Sequence, residues 1–141
     1  MTILDEYTIQ IENFISDSIR KFINENSQLA SIGIYCCPWA GWLTTNFNVS
    51  KTAEETGYNC PDFEFTGFDL LELEKWQEEY ETELPTFKIS EAIIKHNHDL
   101  GDEKFNAIFF PFLKAIVINI KKAHHKEILL QILDSNYNEV V

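Results

Sequence analysis

The chain has 141 residues, 45% hydrophobic and 13% aromatic, which suits one domain able to close a core without cross-links. Twenty-three acids against 11 bases leave a formal net charge of −12, and such a balance speaks against nucleic-acid or anionic-membrane binding. Three cysteines, two of them adjacent, make no disulfide framework, and residues 1 to 26 lack the basic start and apolar stretch of an export signal. A reducing cytosol is therefore the expected compartment.

The chain opens on an expected amphipathic helix. Leu4, Tyr7, Ile11, Phe14, Ile15, Ile19, Phe22 and Ile23 recur at helical steps and form one stripe, with Thr2 as N-cap. Residues 30 to 37 then alternate. Ala30, Ile32, Ile34 and Cys36 share one face, and Ser31, Gly33, Tyr35 and Cys37 the other. Pro38 to Gly41 carry turn chemistry. In the following run Leu43, Thr45, Phe47 and Val49 alternate against Trp42, Thr44, Asn46 and Asn48, which predicts an antiparallel hairpin with one face on the core.

Thr52 and Glu55 have the spacing of a capping box, with Gly57 as the stop. Residues 63 to 68 are expected as a third strand. Asp69 and Glu72 are then expected to open a helix whose stripe is Leu73, Trp76, Tyr80 and Leu84, ended by Pro85. Ser90 is placed as the cap of a further helix to about His98, broken by Gly101. Another helix is expected from Asp102 to about Lys122, kinked or split at Pro111. The most apolar run, Ala107 to Ile120, is 14 residues long and interrupted by Pro111, Lys114 and Asn119, whereas a membrane span needs about 20 residues. The short apolar run 127–135 has no periodicity that assigns it to helix or strand, and a strand completing the sheet is the expectation. The order of elements predicts an α+β fold: an antiparallel sheet containing a central hairpin, with helices packed on one face, all in one domain over 1–141.

Chemistry is sparse. A catalytic cysteine needs a histidine, a base or a helix N-terminus to lower its pKa. Cys36 and Cys37 end a strand, and no histidine follows until His96. Both read as packing residues. Their adjacency also works against a mutual disulfide, because neighbouring Cα atoms lie about 3.8 Å apart. His96 with His98, and His124 with His125, lack metal-ligand spacing and suit helix ends. None of the phosphate-loop, dinucleotide, serine-elbow or zinc-helix motifs is present. No metal, cofactor or catalytic residue is assigned.

The acidity is concentrated. Residues 50 to 83 hold 11 acids and 2 bases. On the helix expected behind Glu72, Glu74, Glu78 and Glu81 fall on one flank and Glu72, Glu79 and Glu83 on the other, with only Lys75 among them. A charge run of this kind commonly solvates a surface; it also steers a basic partner. Trp39 and Trp42 are the expected anchors, since indoles bury much area at little entropic cost. Against that, Trp42 and Tyr35 can pack on each other across the hairpin. Asp62, Glu64, Glu74, Glu78 and Glu81 are the expected steering charges.

The segment "IGIYCCPWAGWLTTNFN", with "CPDFEF" and "WQEEYE" after it, resembles a group of small uncharacterised bacterial α+β proteins associated with the immunity proteins encoded beside polymorphic toxins. The likeness covers about the first 85 residues. It implies a cytosolic protein that binds and blocks a cognate toxin without chemistry of its own, and it carries no functional residues to transfer. The leading expectation is thus a non-enzymatic binding module for a basic protein such as a nuclease toxin. The runner-up is a small-molecule binder or enzyme with a site built from scattered residues, for example Cys37 near His96. A homo-oligomer that buries its own aromatic hairpin is the third.

Overall fold

A computed structural model of the protein describes residues 3–73, 86–89, 92–95 and 101–141, with side chains at 7–38, 40–73, 106–107 and 109–141. Helix α1 spans Ile3–Glu25. Its stripe does what the spacing predicts: Tyr7, Ile11, Ile15, Ile19 and Phe22 are buried, each fully buried aliphatic contributing about 1.5–3 kcal/mol. Ile23, at the edge of the stripe, stays exposed. The expected cap, Thr2, lies outside the described residues.

Strands β1 (Ser31–Cys37) and β2 (Trp42–Asn48) form the expected hairpin around a 3₁₀ turn, Pro38–Ala40. Gly41 closes it at φ 68°, a left-handed conformation that glycine adopts without steric cost, and donates its N–H to Pro38 O. The alternation also holds. Ile32, Ile34, Cys36, Leu43 and Phe47 enter the main core, and Tyr35 belongs to a second cluster on the opposite face. On the core face Phe22 stacks on Phe47 with ring centroids 4.2 Å apart, and the buried Thr45 hydroxyl bonds Ser18 Oγ at 2.6 Å and accepts the Asp69 N–H at 3.3 Å.

The third strand departs from expectation. Strand β3 runs Phe65–Glu72, so Asp69 and Glu72 are strand residues and not the opening of a helix. Cross-strand pairing of Leu43 with Leu71 and Thr45 with Asp69 outweighs both the local capping signal and the low strand preference of Asp. The helix expected over Leu73–Leu84 falls almost wholly outside the described residues. Strands β4 (Thr86–Ile89) and β5 (Ala92–Lys95) then pair as a separate antiparallel hairpin, β5 lying where a helix capped by Ser90 was expected. Phe87, Ile89, Ile93 and Ile94 are β-branched or aromatic, and such residues favour extended pairing.

Helix α2 is one continuous element, Gly101–His124, with Pro111 inside it. Pro111 is on the exposed side, as is Ala107, whose carbonyl loses its intrahelical donor there and can turn to water. Phe109, Leu113, Ile116, Val117 and Ile120 are buried on the other side. His125 ends the helix in the left-handed region at φ 55°, its N–H donating to Lys121 O.

Strand β6 (Glu127–Ile132) completes the sheet as expected, and β7 (Asn138–Val140) adds to it. The five-stranded order is β3-β2-β1-β6-β7. The fold is α+β, the sheet contains the hairpin, and both helices pack on the face carrying Ile32, Ile34, Phe47, Ile128 and Leu130. It is mixed where an all-antiparallel sheet was expected, because β6 runs parallel to β1, Ile34 opposite Leu130. Parallel neighbours need a crossover connection of a dozen or more residues, which α2 supplies directly before β6, and hydropathy does not encode that choice.

Candidate functional site

The face of the sheet turned away from the helices carries the loop of residues 49–64 with its acidic side chains. Residues 49–64 leave β2, fold across this face and return to β3. Their apolar contribution is small: Ala53, Cys60 and Phe63 pack with Leu129 and against Tyr35. Gly33 makes room for them, since a Cβ there would lie 2.9 Å from both Cys60 Sγ and the Phe63 ring.

Polar bonds do the rest. The Thr52–Glu55 capping box forms as expected: Thr52 N–H and Oγ1 donate to Glu55 Oε1, and Glu55 N–H donates to Thr52 Oγ1, all at 3.2 Å. It surrounds a 3₁₀ turn, Glu54–Thr56, stopped by Gly57 at φ 68°. Side chains from the sheet hold the loop from below. Ala53 N–H donates to Glu127 Oε1 at 2.7 Å, and Cys60 N–H to Gln131 Oε1 at 2.7 Å. Gln131 Nε2 donates to Asn59 Oδ1 at 3.0 Å. Asn48, buried, accepts the Glu64 N–H at 2.9 Å and donates to Ser31 Oγ at 3.0 Å. Asn46 accepts the Gly67 N–H at 2.8 Å beside the register shift between β2 and β3. These asparagines replace ladder bonds that the shift removes. The sequence showed Asn46 and Asn48 only as the polar side of an alternating strand; their burial was the missed signal.

The pinned loop presents Glu54, Glu55, Asp62 and Glu64 to solvent, with Lys51 the cation of the same stretch. Glu64 accepts from Ser50 N–H and Oγ at 3.0 Å, and these bonds, with Lys51 nearby, hold its carboxyl below the usual range. Asp62 accepts from Asn59 Nδ2 at 2.9 Å. Of the expected partner-binding residues, Asp62 and Glu64 therefore sit on one loop. Trp42 is half-buried at the hairpin end, edge-on to Tyr35 with centroids 5.9 Å apart. Trp39 has its backbone in the hairpin turn and its side chain outside the described set. Glu74, Glu78 and Glu81 lie outside the described residues, as does His96.

The cysteines divide between the two faces, Cys36 in the main core and Cys60 beneath the loop. Cys36, Cys37 and Cys60 are all buried and form no disulfide, and burial pushes the Cys36 and Cys60 thiols well up, away from the thiolate. Burial and the neighbouring Asp134 likewise raise the Tyr35 phenol. Among the described residues no three His, Cys, Asp or Glu side chains gather to hold a metal, and no helix is long and apolar enough to cross a membrane. An open groove of about 480 Å³ lies elsewhere, lined by Ile118, Lys121, Lys122, His125 and Val141.

Compared with protein-family models, curated proteins and solved structures, the chain matches none of them.

Proposed function

We propose that the chain is a non-enzymatic protein-binding module whose acidic loop face recognises a basic protein, in the manner of an immunity protein that neutralises a basic toxin such as a nuclease. One observation carries the proposal: residues 49–64 hold four exposed carboxylates on a loop fixed at Ala53, Asn59, Cys60 and Glu64 by side chains of the sheet. A surface fixed before binding loses little conformational entropy when a partner docks. Like-signed charge concentrated on it accelerates encounter with a cationic surface.

The test uses the basic protein that co-purifies with the chain from its native cell. Its association rate is expected to fall about tenfold or more between low and physiological salt, as screening shortens the reach of the field. Glu54→Gln with Asp62→Asn, two nearly isosteric changes, should slow association several-fold while leaving the dissociation rate and the melting temperature nearly unchanged. An association rate indifferent to both salt and these changes would sink the proposal.

A further inference from the structure

Strand β3 stands at one edge of the sheet, and among the described residues no strand pairs with its outer side. Its register decides which backbone groups that edge offers. Leu73 N–H donates to Gly41 O at 2.7 Å, and the same antiparallel register pairs Leu43 with Leu71 and Thr45 with Asp69. Hydrogen-bonded and non-bonded pairs alternate along an antiparallel ladder. Residues 69, 71 and 73 therefore turn their N–H and C=O groups to β2, whereas Leu70 and Glu72 turn theirs outward. The opposite edge, β7, is only 3 residues long.

Natural sheets blunt a long edge with lysine, proline, a bulge or a cover. The β3 segment "FTGFDLLE" contains neither lysine nor proline. Gly67, at φ 57°, distorts only its first half. Leu70 is 55% exposed and Phe65 is 37% exposed. Charge selects the occupant. The strand lies within the acidic block of the chain, and Glu72 is exposed on it. Asp69 is already answered by Lys21 at 3.2 Å. A second copy of the chain, also at −12, would meet long-range repulsion at this edge.

We infer that the β3 edge is a strand-addition site for an extended segment of a basic protein, which pairs with the outward backbone groups of Leu70 and Glu72 and sets a Lys or Arg side chain beside the Glu72 carboxylate. Backbone pairing supplies affinity in this mode, and side-chain pockets supply selectivity. The inference rests on the acidic-module reading for the charge of its partner.

The test uses a fluorescent peptide of alternating Lys and Val or Thr residues, with a control of identical sequence N-methylated at alternate backbone nitrogens. The unmodified peptide is expected to bind and to slow amide exchange at Leu70 and Glu72; the N-methylated one should bind at least tenfold more weakly to the same wild-type protein. Leu70→Pro removes an outward N–H without touching the β2 ladder, and should give a similar loss. Equal binding of the two peptides, or unchanged exchange at Leu70 and Glu72, would overturn the strand-addition site while leaving the charge reading intact. Binding that is N-methyl-sensitive but independent of salt would keep the edge site and remove the electrostatic reading. No binding of either peptide at low salt would overturn both, and a dimer formed by the chain alone through β3 would replace the basic partner with a second copy.

Discussion

On one face of the five-stranded sheet, α1 and α2 bury Ile32, Ile34, Phe47, Ile128 and Leu130 beneath a continuous apolar layer. On the other, a loop contributes three buried apolar residues, and side chains of Asn48, Glu127 and Gln131 bond its backbone. The two coverings share the same strands and differ in physics. Hydrophobic burial is non-directional, so the helix face tolerates small adjustments of its packing. Hydrogen bonds demand geometry, so the loop face holds one conformation of its charged residues at the cost of many polar partners.

Substitutions on the two faces should separate these modes. The largest effect is expected for Phe22→Ala, which removes a ring stacked on Phe47 and edge-on to Phe65 and Phe68. A loss of about 3–5 kcal/mol in urea unfolding is expected, spread over the whole domain. A loss confined to one segment would mean that the helix face is not a single cooperative unit.

Gly33→Ala comes next. Its new Cβ meets Cys60 Sγ and the Phe63 ring at 2.9 Å, so the loop must lift or the strand must shift. The expected cost is about 1–3 kcal/mol, with faster amide exchange over the loop and little change in α1. Exchange that stays uniform would show the loop to be more yielding than its contacts require.

Asn48→Ala should cost about 1–2 kcal/mol, because the buried Ser31 hydroxyl and the Glu64 N–H both lose a partner. Accelerated exchange of the Glu64 amide is the specific readout; an unchanged rate would transfer the pinning role to Gln131 and Glu127.

The smallest effects are those of pH. Burial, then Arg20 and His125, lower the His124 pKa from its ordinary 6.5, so the unfolded chain binds the proton more readily. Stability on the helix side should therefore fall as pH drops below 6.5, and His124→Gln should flatten that slope. Glu64, on the loop side, also has a lowered pKa, but from an ordinary 4.5 and through its bonds to Ser50. Its contribution is present above 4.5 and is lost as pH falls through the folded value, and Glu64→Gln should remove it. Acid titrations of the two variants that changed the same pH window would contradict the separation.

The helix face was largely legible, and of the loop face only the Thr52–Glu55 box was. The α1 stripe, the hairpin alternation and the Thr52–Glu55 box are local patterns carried by spacing that the structure reproduces, whereas the strand at 127–132 lies in an apolar run whose spacing fits helix or strand alike. The switch of Asp69–Glu72 from helix start to strand was hidden because its cause lies in residues 41–45, distant in sequence. Of the candidate interaction residues, Asp62 and Glu64 share the pinned loop, and Trp42 is partly occupied by Tyr35. Their arrangement depends on Gln131 and Glu127, some 70 residues further on, which no spacing rule links to them.

By itself the sequence determined the α+β class, the hairpin and its two faces, and the concentration of acid between residues 50 and 83. These follow from local periodicity and composition, which act over a few residues at a time. Only the tertiary structure decided that β6 runs parallel to β1, that β3 extends to Glu72 as a sheet edge, and that the acidic loop lies pinned across the second face. Direction, edge and register arise when distant segments compete for the same backbone groups, and the winner is set by the geometry of the assembled sheet.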